Sequence, residues 1–238
     1  MFYFLLPTLL SYDFILLAAA VIPAIFLMVK VYRSDRLEAE SPAMLWTMGR
    51  AGILAALIAL VAERLLSALL DAAVPQGQLH QVLLYFGVVA FAEEGAKFFM
   101  LRRNSWNAEE FNCQYDGVVY AVFVSLGFAL WENISYVIHY GFSVALVRAM
   151  TAIPGHTCFG MFMGIFYGIA RKCANRGVKD MASLFQWVAL IIPALLHGAY
   201  DYIASTAGGS WAFVIFILAL FAVTWWAVVK SAKNDRFI

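Results

Sequence analysis

The sequence predicts an all-α, polytopic membrane helix bundle of about seven transmembrane helices. Three observations carry that prediction. Of the 238 residues, 64% are hydrophobic and only 13% charged, with a mean hydropathy of +0.81, whereas soluble domains run at about 45–50% apolar and about 25% charged. Seven stretches reach the length of about 20 apolar residues that a bilayer core of about 30 Å requires. Basic residues mark every second connection between those stretches. A soluble chain of this composition has too little polar surface to cover its core, so the expectation is a multi-pass protein of the cell membrane with the lipid bilayer as solvent. Water-soluble enzymes, nucleic-acid-binding modules and disordered chains are excluded together.

The chain divides at its charge clusters. The apolar start Met1–Leu10 has no basic segment before it and no small-residue cleavage site after it, and is read as part of the mature chain. The first span, 12–31, closes on Lys30, Arg33 and Arg36. The second, 44–70, runs into 71–80, which holds no Lys or Arg. The third, 79–101, ends at Arg102 and Arg103, and the fourth, 117–138, at 139–143, which holds no Lys or Arg. The fifth, 144–170, closes on Arg171, Lys172, Arg176 and Lys179. The sixth, 183–206, reaches 207–210, again without a basic residue, and the seventh, 211–230, ends in Lys230, Lys233 and Arg236. The positive-inside rule then places the N-terminus outside and the C-terminus in the cytoplasm. No linker, repeat or low-complexity tract interrupts the pattern, so residues 1–238 are read as one integral-membrane domain. Its chemistry-bearing core is 79–206. Cys113, Cys158 and Cys173 suggest neither a disulfide framework nor a thiolate metal site. The seven tryptophans, Trp46, Trp106, Trp211, Trp225 and Trp226 among them, read mainly as interface anchors.

Within the spans lie groups that lipid does not tolerate cheaply: Glu93, Glu94 and Lys97 in the third, Glu132 in the fourth, His156 in the fifth, and His197 and Asp201 in the sixth. An ionised side chain at mid-membrane costs on the order of 2.5–3.5 kcal/mol, so such groups face a bundle interior or water and are functional candidates. By contrast Glu63, Arg64, Asp71 and Arg148 lie near the outer surface and are read as solvated. His197 and Asp201 are four residues apart and share a helix face. They are either two ligands on one ion or a histidine oriented by a carboxylate. Lys97 follows Glu93 by four residues and Glu94 by three, a built-in counter-charge. The two glutamates sit about 100° apart around the helix, which predicts that they do not aim at one point. A rise of about 1.5 Å per residue puts the charged groups at depths that can converge in the central to outer bilayer. Pro154 and Pro193, each just before a histidine, predict broken helices beside a wet pocket.

Other readings of these residues exist. Glu93, Glu94 and Lys97 could form a buried ion pair that fixes helix register. Glu132, with Asn133 beside it, could make an interhelical hydrogen bond. At the level of the whole chain, a proton-coupled transporter or channel with a Glu/His relay and a non-catalytic membrane sensor or scaffold are the rivals to an enzyme. The absence of inverted repeats speaks against the transporter. GxGD, GxSG and HExxH signatures are all missing.

Four stretches carry a resemblance: FAEEGAKFF (91–99), with EExxK; FNCQYDGVVYAVFVSLGFALWENISYV (111–137), with DG-x-x-Y and GFxxxEN; RAMTAIPGHTCFGMFMG (148–164), with its histidine; and PALLHGAYD (193–201), with HGxYD. In order over 91–201, they resemble the PrsW-type intramembrane proteases, relatives of the superfamily that includes the CAAX-prenyl proteases. Ala121, where a glycine is common, is a departure that touches packing. The resemblance implies an intramembrane endopeptidase acting on a single-span membrane protein, an anti-sigma factor in the best-known cases, cut at its extracytoplasmic side in stress signalling. It implies that Glu93, Glu94 and Glu132 are catalytic, that His156, His197 and Asp201 form the metal or oxyanion set, and that Lys97 and Asn133 support them. A glutamate would activate water. The histidines with Asp201 or Glu132 would either hold Zn²⁺ or donate hydrogen bonds to the oxyanion, the zinc reading being favoured.

Overall fold

The computed structural model describes residues 18, 21–35, 37–140, 142–207 and 210–238, with the side chains of 142–145 outside the description. Met1–Leu10 and most of the first half of the expected first span therefore lie outside the described residues. Helix α1 covers Val21–Tyr32. The remaining helices are α2 (Pro42–Ala73), α3 (Gln78–Val82), which passes through a π-helical turn (Leu83–Val89) into α4 (Ala90–Ser105), α5 (Asp116–Tyr140), α6 (Phe142–Met150), α7 (Ala152–Asn175), α8 (Lys179–Ala207) and α9 (Trp211–Lys233). The described chain is thus an all-α polytopic bundle. Among the described residues, five segments are long and apolar enough to cross a membrane: α2, α5, Leu146–Asn175, α8 and α9. The expected third span is assembled from three helical pieces, and its last piece carries Glu93, Glu94 and Lys97.

Burial sorts the helices into a centre and a periphery. Helix α5 is enclosed by α2 on one side and α7 on the other, and α8 packs on α7 and α4. Small residues make that enclosure possible. A Cβ on Gly164 of α7 would collide with the carbonyl of Gly117 and the Cα of Val118 in α5. A Cβ on Gly52 of α2 would meet the Val124 carbonyl. In a bilayer, where hydrophobicity does not drive helix against helix, such backbone approach supplies van der Waals contact. The peripheral faces of α2 and α9 expose Leu65, Leu69, Ile215 and Leu218, as lipid contact requires.

The fifth expected span is two helices. Thr151 breaks the chain, and its hydroxyl donates to the Val147 carbonyl. Pro154 therefore falls in the first turn of α7 rather than within a helix, where its missing N–H is no loss. Pro193 does lie inside α8. At the end of the bundle that carries the basic connections, the C-terminal residues dock on the α4–α5 loop through Gln114 N to Arg236 O at 3.0 Å and Ile238 N to Asn112 O at 2.8 Å. There burial lifts the Glu40 carboxyl to about 7, against a hydrogen bond from Tyr120. Burial beside Asp116 and Asp235 pushes the Cys113 thiol up to about 12.

Candidate active site

Helix α4 delivers three buried charges within one turn. The Lys97 ammonium donates to Glu94 Oε1 at 2.7 Å and to Glu93 Oε2 at 3.2 Å. It also lies 3.0 Å from His156 Nδ1 and 3.9 Å above the Phe128 ring. An ammonium only donates, so His156 accepts at Nδ1 and its Nε2–H donates to Glu132 Oε2 at 2.9 Å. From α8, His197 Nδ1 stands 2.9 Å from Glu94 Oε1 and 3.8 Å from Glu93 Oε2, while its Nε2 faces Asp201 Oδ2 at 3.4 Å. Phe159 stacks on the His197 ring at 4.8 Å, and Gly198 lets α8 approach Phe86 of the π-helical turn, where a Cβ would strike the ring and backbone. π-turns of this kind recur at functional sites. Here the turn sits one helical piece before the charged α4 and against the histidine-bearing α8.

Every intramembrane group singled out in the sequence enters this one network, supplied by four helices. Asn133 is buried within it and accepts from Arg148 Nε at 2.9 Å. Two expectations fail. Glu93 and Glu94 do converge, both reaching the Lys97 ammonium, because two methylene groups carry each carboxylate far enough to offset the angle between their Cα–Cβ bonds. Arg148 is not left to solvent: its Nη2 lies 2.9 Å from Glu132 Oε2, and its guanidinium sits 3.9 Å over the Tyr136 ring. Glu63 and Arg64 likewise line the same cavity as the network. Arg148 was readable in principle, since it opens the stretch that holds His156. Glu63 and Arg64 carry the same signal as the network residues, being charges inside the apolar stretch 44–70, and reading them as solvated misplaces them.

The cavity measures about 500 Å³ and is walled by Glu93, Glu132, His156, His197 and Asp201. Its lining extends to Ser135 and His139, near the C-terminal end of α5 and away from the basic connections. Glu94 and Lys97 lie behind this wall, fully buried. One ligand atom each from Glu93, Glu94, His156 and His197 falls within 4.8 Å of the others. Two imidazoles and two carboxylates are a donor set that suits Zn²⁺, and Glu94 Oε2 is buried without a hydrogen-bond partner among the described residues. The residues therefore fit a metal ion. Asp201 stands outside the four, where it can hold the ring of His197 in place.

The chain is similar to known proteins over most of its length. The family model described as PrsW family intramembrane metalloprotease matches residues 40–228. Protease PrsW of Bacillus subtilis is 37% identical over 148 residues, which cover 62% of this chain and 65% of that protein, slightly under two thirds of its length. Protease PrsW of Geobacillus kaustophilus is 31% identical over 94% of this chain and 93% of its own. That of Oceanobacillus iheyensis is 32% identical over 94% and 98%. No solved structure matches the chain. With the family match spanning all the helices that build the buried Glu/His network, the chain belongs to the PrsW family of intramembrane metalloproteases.

Proposed function

We propose that this chain is an endopeptidase that hydrolyses a peptide bond of a single-span, membrane-anchored protein, as the site-1 cleavage of an anti-sigma factor would require. The carrying observation is the convergence of Glu93, Glu94, His156 and His197 within 4.8 Å at the wall of a bundle cavity. In this reading residues 1–238 form one domain of seven spans with the N-terminus outside, the core is 79–206, and the cavity takes water and substrate from the outer side.

The two glutamates have different work. Glu93 lines the cavity and is the general base: it takes a proton from water as the oxygen attacks the scissile carbonyl carbon, then passes that proton to the departing amine nitrogen as the C–N bond breaks. Glu94 sits behind, bonded to Lys97 and His197, and holds both. Glu94, His156 and His197 would hold a Zn²⁺ ion. Such an ion supplies Lewis-acid polarisation of the carbonyl. Asp201 and Glu132 fix the two imidazole rings through Nε2 in each case.

The test is cleavage of a co-expressed single-span substrate. Glu93→Ala and Glu94→Ala should each abolish cleavage while the protein still accumulates in the membrane. Normal cleavage by both variants would refute the assignment. Metal analysis of purified protein with chelator treatment decides the zinc component, which a metal-free and fully active preparation would overturn.

A further inference from the structure

The DG-x-x-Y segment, residues 116–120, takes no part in the site just described. It lies at the opposite end of α5. Gly117 explains itself by the close approach of α7, whose Gly164 carbonyl and Gly168 a Cβ would strike. Asp116 and Tyr120 do not pack in that way. Both are buried, Asp116 to 1% exposure, and both face the residues that lead into α2. The Tyr120 hydroxyl donates to Glu40 Oε2.

Asp35, Glu40 and Asp116 each bring a carboxylate oxygen within 4.8 Å of the others. Among the described residues no Lys, Arg or His forms an ion pair with Glu40 or Asp116. A buried carboxylate without a counter-ion is costly. Asp116 adds an independent sign. Its Oδ2 accepts the backbone N–H groups of Asn112 at 3.0 Å and Cys113 at 2.6 Å, which anchors the side chain, while its buried Oδ1 meets no donor among the described residues and the carboxyl group faces that of Glu40. An anchored carboxylate with one unused oxygen, set among two more carboxylates, is what a metal ligand looks like.

We infer that Asp35, Glu40 and Asp116 form a binding site for a hard divalent cation of the Mg²⁺ or Ca²⁺ class, with Tyr120 orienting Glu40. All-oxygen donors select such ions over Zn²⁺ or Cu²⁺. The ion would pin the α1–α2 connection and the start of α2 to the first turn of α5, at the end of the bundle remote from the proteolytic cavity. The site is separate from the Glu/His cluster and does not depend on the protease reading.

The experiment uses the full chain in detergent or nanodiscs, stripped with EDTA and titrated with MgCl₂ and CaCl₂ at constant ionic strength, with thermal unfolding as the readout. A saturable rise in Tm is expected. It should persist in Glu93→Gln, which cripples the other cluster. Glu40→Gln and Asp116→Asn should abolish it, and Tyr120→Phe should weaken the apparent affinity by about 10- to 100-fold. Absence of a saturable rise in the wild type, or its survival in both carboxylate variants, overturns the site. A wild-type Tm that responds to acid and not to either cation does so as well, and assigns the pocket to a proton shared between Glu40 and Asp116. If the carboxylate variants do not accumulate, Mn²⁺ bound by the Glu93→Gln chain and measured by electron paramagnetic resonance decides: one ion displaced by Mg²⁺ supports the site, and none refutes it.

Discussion

Replacing Arg148 should slow proteolysis without unfolding the protein. Glu132 Oε2 receives two donors, Arg148 Nη2 and His156 Nε2, each at 2.9 Å, and Arg148 Nε also bonds Asn133 Oδ1 at 2.9 Å. Arg148→Gln removes the guanidinium from both oxygens. Glu132 is then free to shift from His156, whose other nitrogen touches the Lys97 ammonium. A hydrogen bond to a charged group contributes about 1.5–3 kcal/mol. The side chains of Arg148 and Glu132 are 17% and 22% exposed, so solvent screening reduces this to about 1–2 kcal/mol. If the loss appears wholly as mispositioning of His156, the rate falls by about 5- to 30-fold. The assay is initial-rate cleavage of a single-span substrate in proteoliposomes at matched enzyme amounts. Arg148→Lys, which keeps the charge but not the fork, should fall between wild type and Arg148→Gln. The exposed Arg103 provides a control, and Arg103→Gln should cleave normally. Wild-type cleavage by Arg148→Gln would refute the claim that Arg148 positions the Glu132–His156 pair. Equal loss in the Lys and Gln variants would show that charge plays no part.

Two further outcomes follow from packing and burial. Two helix glycines should respond oppositely to a methyl group: Gly164→Ala forces α5 from α7 against backbone atoms and should cost about 1–3 kcal/mol, seen as a lower Tm. Gly49→Ala, whose Cβ meets nothing within 4 Å, should be neutral or stabilising by up to about 1 kcal/mol; a lower Tm for Gly49→Ala or an unchanged one for Gly164→Ala contradicts the packing. Thiol labelling of the native chain with a maleimide near pH 7 should modify Cys173 first, because Cys113 and Cys158 are buried and the Cys113 thiol, pushed up to about 12, has almost no thiolate at that pH. Equally rapid labelling of all three thiols in folded protein would contradict that burial.

What could be read from the sequence, and what could not, follows the cost of a charge at each position. A carboxylate in the middle of an apolar run is expensive wherever the neighbouring helices lie, so Glu93, Glu94, Glu132, His156, His197 and Asp201 announced themselves from hydropathy alone. Glu63 lies well inside α2, and reading it as solvated misplaces its depth; Arg148 stands near a helix end, where water is close and a charge is cheap. Whether such a group is solvated or turned inward depends on which helix packs beside it, and only tertiary structure contains that. The break at Thr151 shows the same limit: hydropathy runs smoothly across it, and it takes the chain geometry to turn Pro154 from a kink into a helix start.

Asp35 and Glu40 are the extreme case. Both lie between the first and second expected spans, and no local pattern reports that Tyr120 and Asp116, some eighty residues on, approach them. The same reasoning separates Glu93 from Glu94. The angle between neighbouring helix positions does not keep the two apart, because side-chain reach lets both carboxylates meet at Lys97. The difference survives as access: Glu93 lines the cavity and Glu94 is sealed behind it. On the proposed assignment of Glu93 as general base, Glu94→Gln, which keeps the shape, one acceptor for Lys97 and a weaker, neutral oxygen ligand for a metal, should retain more activity than Glu93→Gln when excess Zn²⁺ is supplied, and the reverse order would exchange their roles.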